Sequence, residues 1–186
     1  SGKTYAVVTG SSDYQDPGIP DLKYAVKDAE AFANYLRSQA GGSLNQDQLK
    51  ILLNQQATLG QFASALDWLF EVCKLGDPAI FFFSGHGDVE RKTITQPGFL
   101  LCWDAPARVY MSGGAFGLAY LEEVINTLSS LNNVKVVMVA DACHSGKLSG
   151  SQIGGVQATA ANLARQYSNE IKILSCQPNE YSIEGQ

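Results

Sequence analysis

The chain reads as an α/β protein with a mainly parallel sheet and helices on both faces. Three observations predict this. Apolar strand-like runs alternate with helical segments along the whole length. Two of these runs, Ala79–Phe83 (AIFFF) and Val134–Ala140 (VKVVMVA), are almost wholly apolar, as strands covered on both faces are. Each then breaks into a short polar stretch with glycines, Ser84-Gly85-His86-Gly87-Asp88 and Asp141-Ala142-Cys143-His144-Ser145-Gly146. Such strand ends form the edge where α/β sheets collect ligands and reacting groups.

Taken in order, Thr4–Thr9 is a first buried strand closed by Gly10, and Ser11–Pro20 is a turn-rich loop. Asp21 is positioned to cap a helix that carries Leu22, Ala25, Val26, Ala29, Phe32, Ala33 and Leu36 at helical spacing. Gly41-Gly42 stops that helix. Gln48–Leu53 is a second strand. Thr58 caps a second helix with Phe62, Leu66, Leu69 and Phe70 on one face. Gly76-Asp77-Pro78 then leads into the Ala79–Phe83 strand.

Asp88–Gln96 reads as a polar excursion, and Phe99–Trp103 as a short strand, one arm of a hairpin. Ala105–Gly117, which holds Pro106 and three glycines, reads as a mobile loop. Leu118–Leu131 is a helix with Leu121, Val124, Ile125 and Leu128 inward. The Cys143 strand follows it. Ser149–Gly155 is a glycine/serine-rich break, Ala158–Gln166 is helical, and Ile171–Leu174 is a fifth strand with a polar tail to Gln186. That ending leads us to expect a further strand and helix on a continuation or a second, cleaved chain, with part of the sheet edge lacking here.

The totals fit one domain. The chain has 186 residues, 45% hydrophobic and 17% charged, enough for a core of ordinary globular composition. A net charge of −5 without a basic run argues against a nucleic-acid surface. No apolar stretch approaches the ~18 residues of a membrane span, and Ser1-Gly2-Lys3-Thr4 has no signal-peptide pattern. The four cysteines, Cys73, Cys102, Cys143 and Cys176, form no CxxC pair. Reduced thiols and a cytoplasmic location are expected, without a zinc site, since the chain has only two histidines. Cys73 and Cys102 read as small buried residues.

Cys143 and His86 lie 57 residues apart with a helical segment between them. A strand–crossover–strand unit sets their strands parallel and puts both ends on one edge. A thiolate nucleophile with an imidazole to carry its proton is the chemistry this juxtaposition offers. His144 is the rival base, but adjacent side chains in extended backbone point apart. Gly85 and Gly87 read as a tight turn around His86. The N–H groups of Gly87 and Cys143 are candidate donors to an oxyanion. The bland readings are a loop histidine and a buried cysteine.

Phe82-Phe83-Ser84-Gly85-His86-Gly87 and Asp141-Ala142-Cys143-His144-Ser145-Gly146 resemble the two signatures of the caspase/metacaspase superfamily of cysteine proteases. The DxCHSG form is closer to metacaspases and bacterial orthocaspases than to the QACRG-type site of animal caspases. The resemblance implies a three-layer caspase-like fold, a Cys143/His86 dyad, and control by proteolytic processing of a zymogen or by a partner. Leu22–Asp28 is similar to the L-[RK]-G-x-x-N-D motif of metacaspases, with Tyr24 in place of glycine and Lys27 in place of asparagine. It implies a pocket for a basic P1 side chain lined by Asp28 and Asp141, with Ser84 in the same pocket. Two carboxylates attract Arg or Lys and repel Asp. The mundane alternatives are a solvated helix carboxylate at Asp28 and a turn residue at Asp141.

The implied activity is endoproteolysis after Arg or Lys, on protein or peptide substrates, without a cofactor. Many metacaspases respond to calcium through acidic residues between the two motifs. Asp88, Glu90 and Asp104 are scattered and make no clear ligand cluster. By the same resemblance residues 1–148 form a large-subunit-like part and 149–170 a linker-like part with Lys147 and Arg165 as cleavable bases nearby. Residues 171–186 begin a small-subunit-like part whose remainder is the expected partner segment. Two rivals stand beside this reading: a catalytically silent caspase-fold scaffold or binding module, and a flavodoxin-like nucleotide binder using Thr9-Gly10-Ser11-Ser12 as a phosphate loop.

Overall fold

The computed structural model describes residues 2–90, 92–144 and 171–175, and of residues 131, 132, 143, 144 and 171–175 the backbone alone. The element order is β1 (Tyr5–Gly10), α1 (Ala25–Arg37), β2 (Leu49–Leu53), α2 (Leu59–Val72), β3 (Ala79–Val89), β4 (Gly98–Leu101), β5 (Ala115–Gly117), α3 (Leu118–Asn132), β6 (Val136–His144) and β7 (Ile171–Ser175). Seven strands of the described residues form one sheet. Its parallel part runs β2, β1, β3, β6, β7. β4 and β5 add an antiparallel extension to the far end of β3. The sheet is therefore mixed and mostly parallel, with helices on both faces, as the sequence pattern predicts.

Strand alternation sorts the core. Ala6, Val8 and Phe82 turn to the face covered by α1, where they meet Ala29, Ala33 and Leu36. Val7, Phe81, Phe83, Met138 and Ala140 turn to the other face, against Phe62, Leu66 and Leu69 of α2 and Leu121, Ile125 and Leu128 of α3. Gly10 lets α1 lie close on β1. A Cβ there would come within 2.6 Å of the Ala29 Cβ and 3.0 Å of the Ala25 carbonyl oxygen.

Several boundaries depart from the sequence reading. α1 begins at Ala25, not at Leu22, and Asp21 is not its cap. The Oγ of Ser12, reaching across from the loop after β1, accepts the Val26 N–H at 3.0 Å and supplies the missing acceptor. Thr58 does cap α2, accepting from Gln61 N–H at 3.2 Å, and Asp104 Oδ1 accepts from Leu59 N–H at 2.9 Å. Ala105–Gly117 is tied down rather than loose. It contains β5, Ala107 N–H donates to Asp16 Oδ2 at 2.9 Å, and Tyr110 is buried. The linker-like segment, the Ala158–Gln166 helix and the tail after Ser175 lie outside the described residues.

Candidate active site

Both motif-bearing strands run further than their apolar cores suggest. β3 continues through Ser84-Gly85-His86-Gly87-Asp88 to Val89, and β6 through Asp141-Ala142-Cys143 to His144. The expected tight turn around His86 is not formed, and Gly85 and Gly87 are not among the glycines with positive φ. The reason is edge pairing. β1 leaves β3 at Ser84, and β4 takes over from Gly87, while β6 accompanies β3 from Ala79 to Gly87. Polar residues that would end an isolated strand are kept extended by β6, with β1 on the other side up to Ser84, β4 from Gly87, and the Tyr14 hydroxyl on the His86 N–H between them.

The resulting register is Ser84↔Asp141, Gly85↔Ala142, His86↔Cys143 and Gly87↔His144. His86 and Cys143 are thus direct neighbours across a parallel ladder, where strands stand about 4.8 Å apart. Ser84 and Asp141 are the pair one alternation earlier. Gly87 has interactions of its own, as does Asp141.

His86 is buried, at 3% exposure. Its Nε2 lies 2.7 Å from the carbonyl oxygen of Pro20. A carbonyl only accepts, so this contact assigns a proton to Nε2 and, in the neutral ring, leaves the lone pair on Nδ1. The imidazole is thereby set up to take a proton at Nδ1 while Pro20 holds its other side. The His86 N–H donates to Tyr14 Oη at 2.8 Å, and the two rings sit 5.2 Å apart at 45°.

Asp28 stands on the first turn of α1 and is exposed. Partial burial and, second, the charge of Asp141 push its carboxyl above the ordinary carboxylate range. Two residues that are 113 apart in sequence thus share one electrostatic environment. Ser84, the register partner of Asp141, is buried, and its carbonyl accepts the Ser11 N–H at 3.0 Å. The Lys27 and Lys23 ammonium groups lie 5.9 and 5.7 Å from the centroid of the Tyr24 ring.

Beyond His86, β3 stays buried and becomes acidic. Asp88 Oδ2 accepts the Tyr110 hydroxyl at 2.6 Å, and its Oδ1 accepts the Val89 N–H. Glu90 accepts the N–H groups of Tyr110, at 2.9 Å, and Lys92. Burial pushes the Glu90 carboxyl up, but the N–H donors of Tyr110, Lys92 and Met111 and the Lys92 charge outweigh it and hold the group below its ordinary range. The first residues of the expected polar excursion, Asp88–Glu90, are therefore a buried lock on the segment before β5, while Lys92 and residues 94–96 are exposed as expected. Asp104, the third acid between the motifs, is engaged at the start of α2 instead. Among the described residues no group of three or more acids, histidines or cysteines is placed to hold a metal ion.

The described thiols are those of Cys73 and Cys102, both buried and free. Burial, then the Asp77 charge, pushes the Cys73 thiol up to about 11, and burial pushes Cys102 up as well. Neither is a thiolate near neutral pH. The would-be phosphate loop is occupied by its own fold. Ser11 N–H bonds Ser84, Ser12 and Asp13 N–H groups bond Asn54 Oδ1, and Gly10 lies under α1.

Sequence reasoning missed Tyr14, Pro20 and Tyr110. An aromatic inside the polar run SSDYQDPGIP was the available signal for Tyr14. Pro20 acts through its carbonyl, which no side-chain pattern reveals.

A mixed α/β/α sheet with a histidine and a cysteine in register on its two central strands defines a caspase-type domain. A model of the caspase domain matches residues 3–186, and the chain belongs to that family of peptidases. No curated protein matches it at a significant level. Among solved structures it is similar to a protein from Geobacter sulfurreducens, with a TM-score of 0.60 and 17% sequence identity. That match covers 91% of this chain and 57% of the other, so the chain spans little more than half the length of this structural relative. No helix of the described residues is long and apolar enough to cross a membrane.

Proposed function

We propose that the protein is a cysteine endopeptidase of the metacaspase or orthocaspase type that cleaves after Arg or Lys. The observation that carries the reading is the register pairing of His86 with Cys143. Cys143 attacks the scissile carbonyl as a thiolate. His86 takes the thiol proton at Nδ1, with Nε2 held by Pro20, and returns it to the leaving amine. The N–H groups of Cys143 and Gly87 serve the oxyanion, Gly87 exchanging its present interaction for it. Asp28 and Asp141, with Ser84, receive the P1 cation. The Asp28 carboxyl, raised first by partial burial and then by the Asp141 charge, supports a shared acidic environment that a guanidinium or ammonium would favour. No cofactor takes part. Residues 1–148 act as the large-subunit-like part and residues from 171 onward as the start of the small-subunit-like part, joined by a processed linker.

The test is hydrolysis of fluorogenic peptides with Arg, Lys or Asp at P1 by the protein and by Cys143→Ala. Turnover of Arg or Lys peptides that disappears in the variant is expected, a loss of at least about a thousandfold. Turnover only after Asp keeps the dyad and removes the roles of Asp28 and Asp141. Silence on every peptide, with no labelling of Cys143 by a peptidyl-Arg electrophile, makes the domain a scaffold.

A further inference from the structure

The geometry points to Tyr14 as a positioning residue for His86, through the loop between β1 and α1 acting as a clamp. The proposal rests on the peptidase reading for its kinetic consequence. Its structural content stands apart from it.

Tyr14 is buried, at 8% exposure, although it lies in a loop of polar and turn residues. Its hydroxyl oxygen accepts the His86 N–H at 2.8 Å and stands 3.4 Å from the Leu101 carbonyl oxygen. Its ring faces the imidazole at 5.2 Å. The same loop, six residues on, places the Pro20 carbonyl 2.7 Å from His86 Nε2. One loop therefore holds the histidine at its backbone, on its ring and at its distal nitrogen. The loop is itself pinned between these two points. Asp16 Oδ1 accepts Gly18 N–H at 2.8 Å and Oδ2 accepts Ala107 N–H at 2.9 Å, and Gln15 N–H bonds the Trp103 carbonyl at 3.0 Å.

This contact also explains Gly85. A Cβ at that position would stand 2.7 Å from the Tyr14 hydroxyl oxygen and 3.0 Å from the Phe83 ring. The glycine before the histidine is then a space left for a phenol, not a turn.

Tyr14→Phe removes the hydroxyl and keeps the ring, and Tyr14→Leu removes both. With Arg and Lys peptides, kcat should fall about tenfold in Tyr14→Phe, the scale of one hydrogen bond, and further in Tyr14→Leu, with KM within about twofold. Gly85→Ala should lose activity like Tyr14→Phe. Adding Tyr14→Phe to Gly85→Ala should cost little more, since both substitutions break the same hydrogen bond. Imidazole resonances supply a readout independent of turnover, because the chain has two histidines and His144→Gln assigns the other. The His86 resonances should move in both Tyr14 variants.

Unmoved resonances in folded Tyr14→Phe, checked by circular dichroism, overturn the proposal whatever the peptides show. Unchanged kcat in an active enzyme does the same. If the wild-type protein cleaves nothing but the resonances move, the peptidase reading fails and the positioning by Tyr14 stands. Should Tyr14→Leu not fold, Tyr14→Phe alone decides.

Discussion

The two halves of β3 are buried almost equally and held by different physics. From Ala79 to Phe83 the strand is apolar, and its side chains vanish into the cores on the two faces of the sheet. From Ser84 to Val89 it is as dry, yet it carries Ser84, His86 and Asp88. His86 and Asp88 stay buried because each meets a directed partner: Tyr14 and Pro20 at His86, Tyr110 at Asp88. The first half tolerates any filling of the right volume. The second half is specified atom by atom, and it is the half that carries the candidate chemistry.

Substitutions can separate the halves. The largest stability loss should come from the apolar half. Phe81→Ala opens a cavity beside Phe62, whose ring packs edge-on at 5.1 Å, and should cost about 3–5 kcal/mol by urea denaturation. Equal stability in Phe81→Ala would erase the distinction. In the polar half, Tyr110→Phe takes a donor from the buried Asp88 carboxylate and should cost about 1.5–3 kcal/mol. The same denaturation curves check it.

The smallest effect is a pH dependence. Glu90 has its carboxyl depressed in the folded state, so its contribution is present above the unfolded value of about 4.3 and is lost as pH falls through the lower folded value. Melting temperature measured from pH 6 to pH 3 should therefore drop at the acid end. The Glu90→Gln protein should show a shallower drop. A parallel pair of curves would remove Glu90 from the lock.

The apolar half was also the legible half. Ala79–Phe83 and the strand of Cys143 announce themselves by hydropathy, and the helices by the spacing of residues such as Leu121, Val124, Ile125 and Leu128. The His86 and Cys143 motifs, read as strand ends on one sheet edge, do fall on neighbouring parallel strands. What local pattern could not carry was pairing. Gly85 and Gly87 look like breakers until β6 runs beside both and β4 takes up Gly87, and Asp88 and Glu90 look solvated until Tyr110, some twenty residues away, comes back to meet them. Asp21 looked like a cap because sequence offers only the local candidate, whereas Ser12 arrives from 14 residues upstream of Val26.

The ladder between β3 and β6 has a consequence for latency. Nine consecutive residue pairs, from Ala79↔Val136 to Gly87↔His144, lock the two strands together. On the proposed reading, thiol and imidazole cannot be parted or united by a hinge without unzipping the centre of the sheet. An inactive form of this enzyme would therefore have its two reacting groups already assembled, with control exerted on access. Adjacent strands at about 4.8 Å fall within the Cα spacing a disulfide accepts, so His86→Cys should cross-link to Cys143 on mild oxidation, before and after any processing. A cross-link that formed only after processing would mean that the pair is assembled late. Its presence in both forms would leave the doorway, and not the machinery, as the thing that is switched.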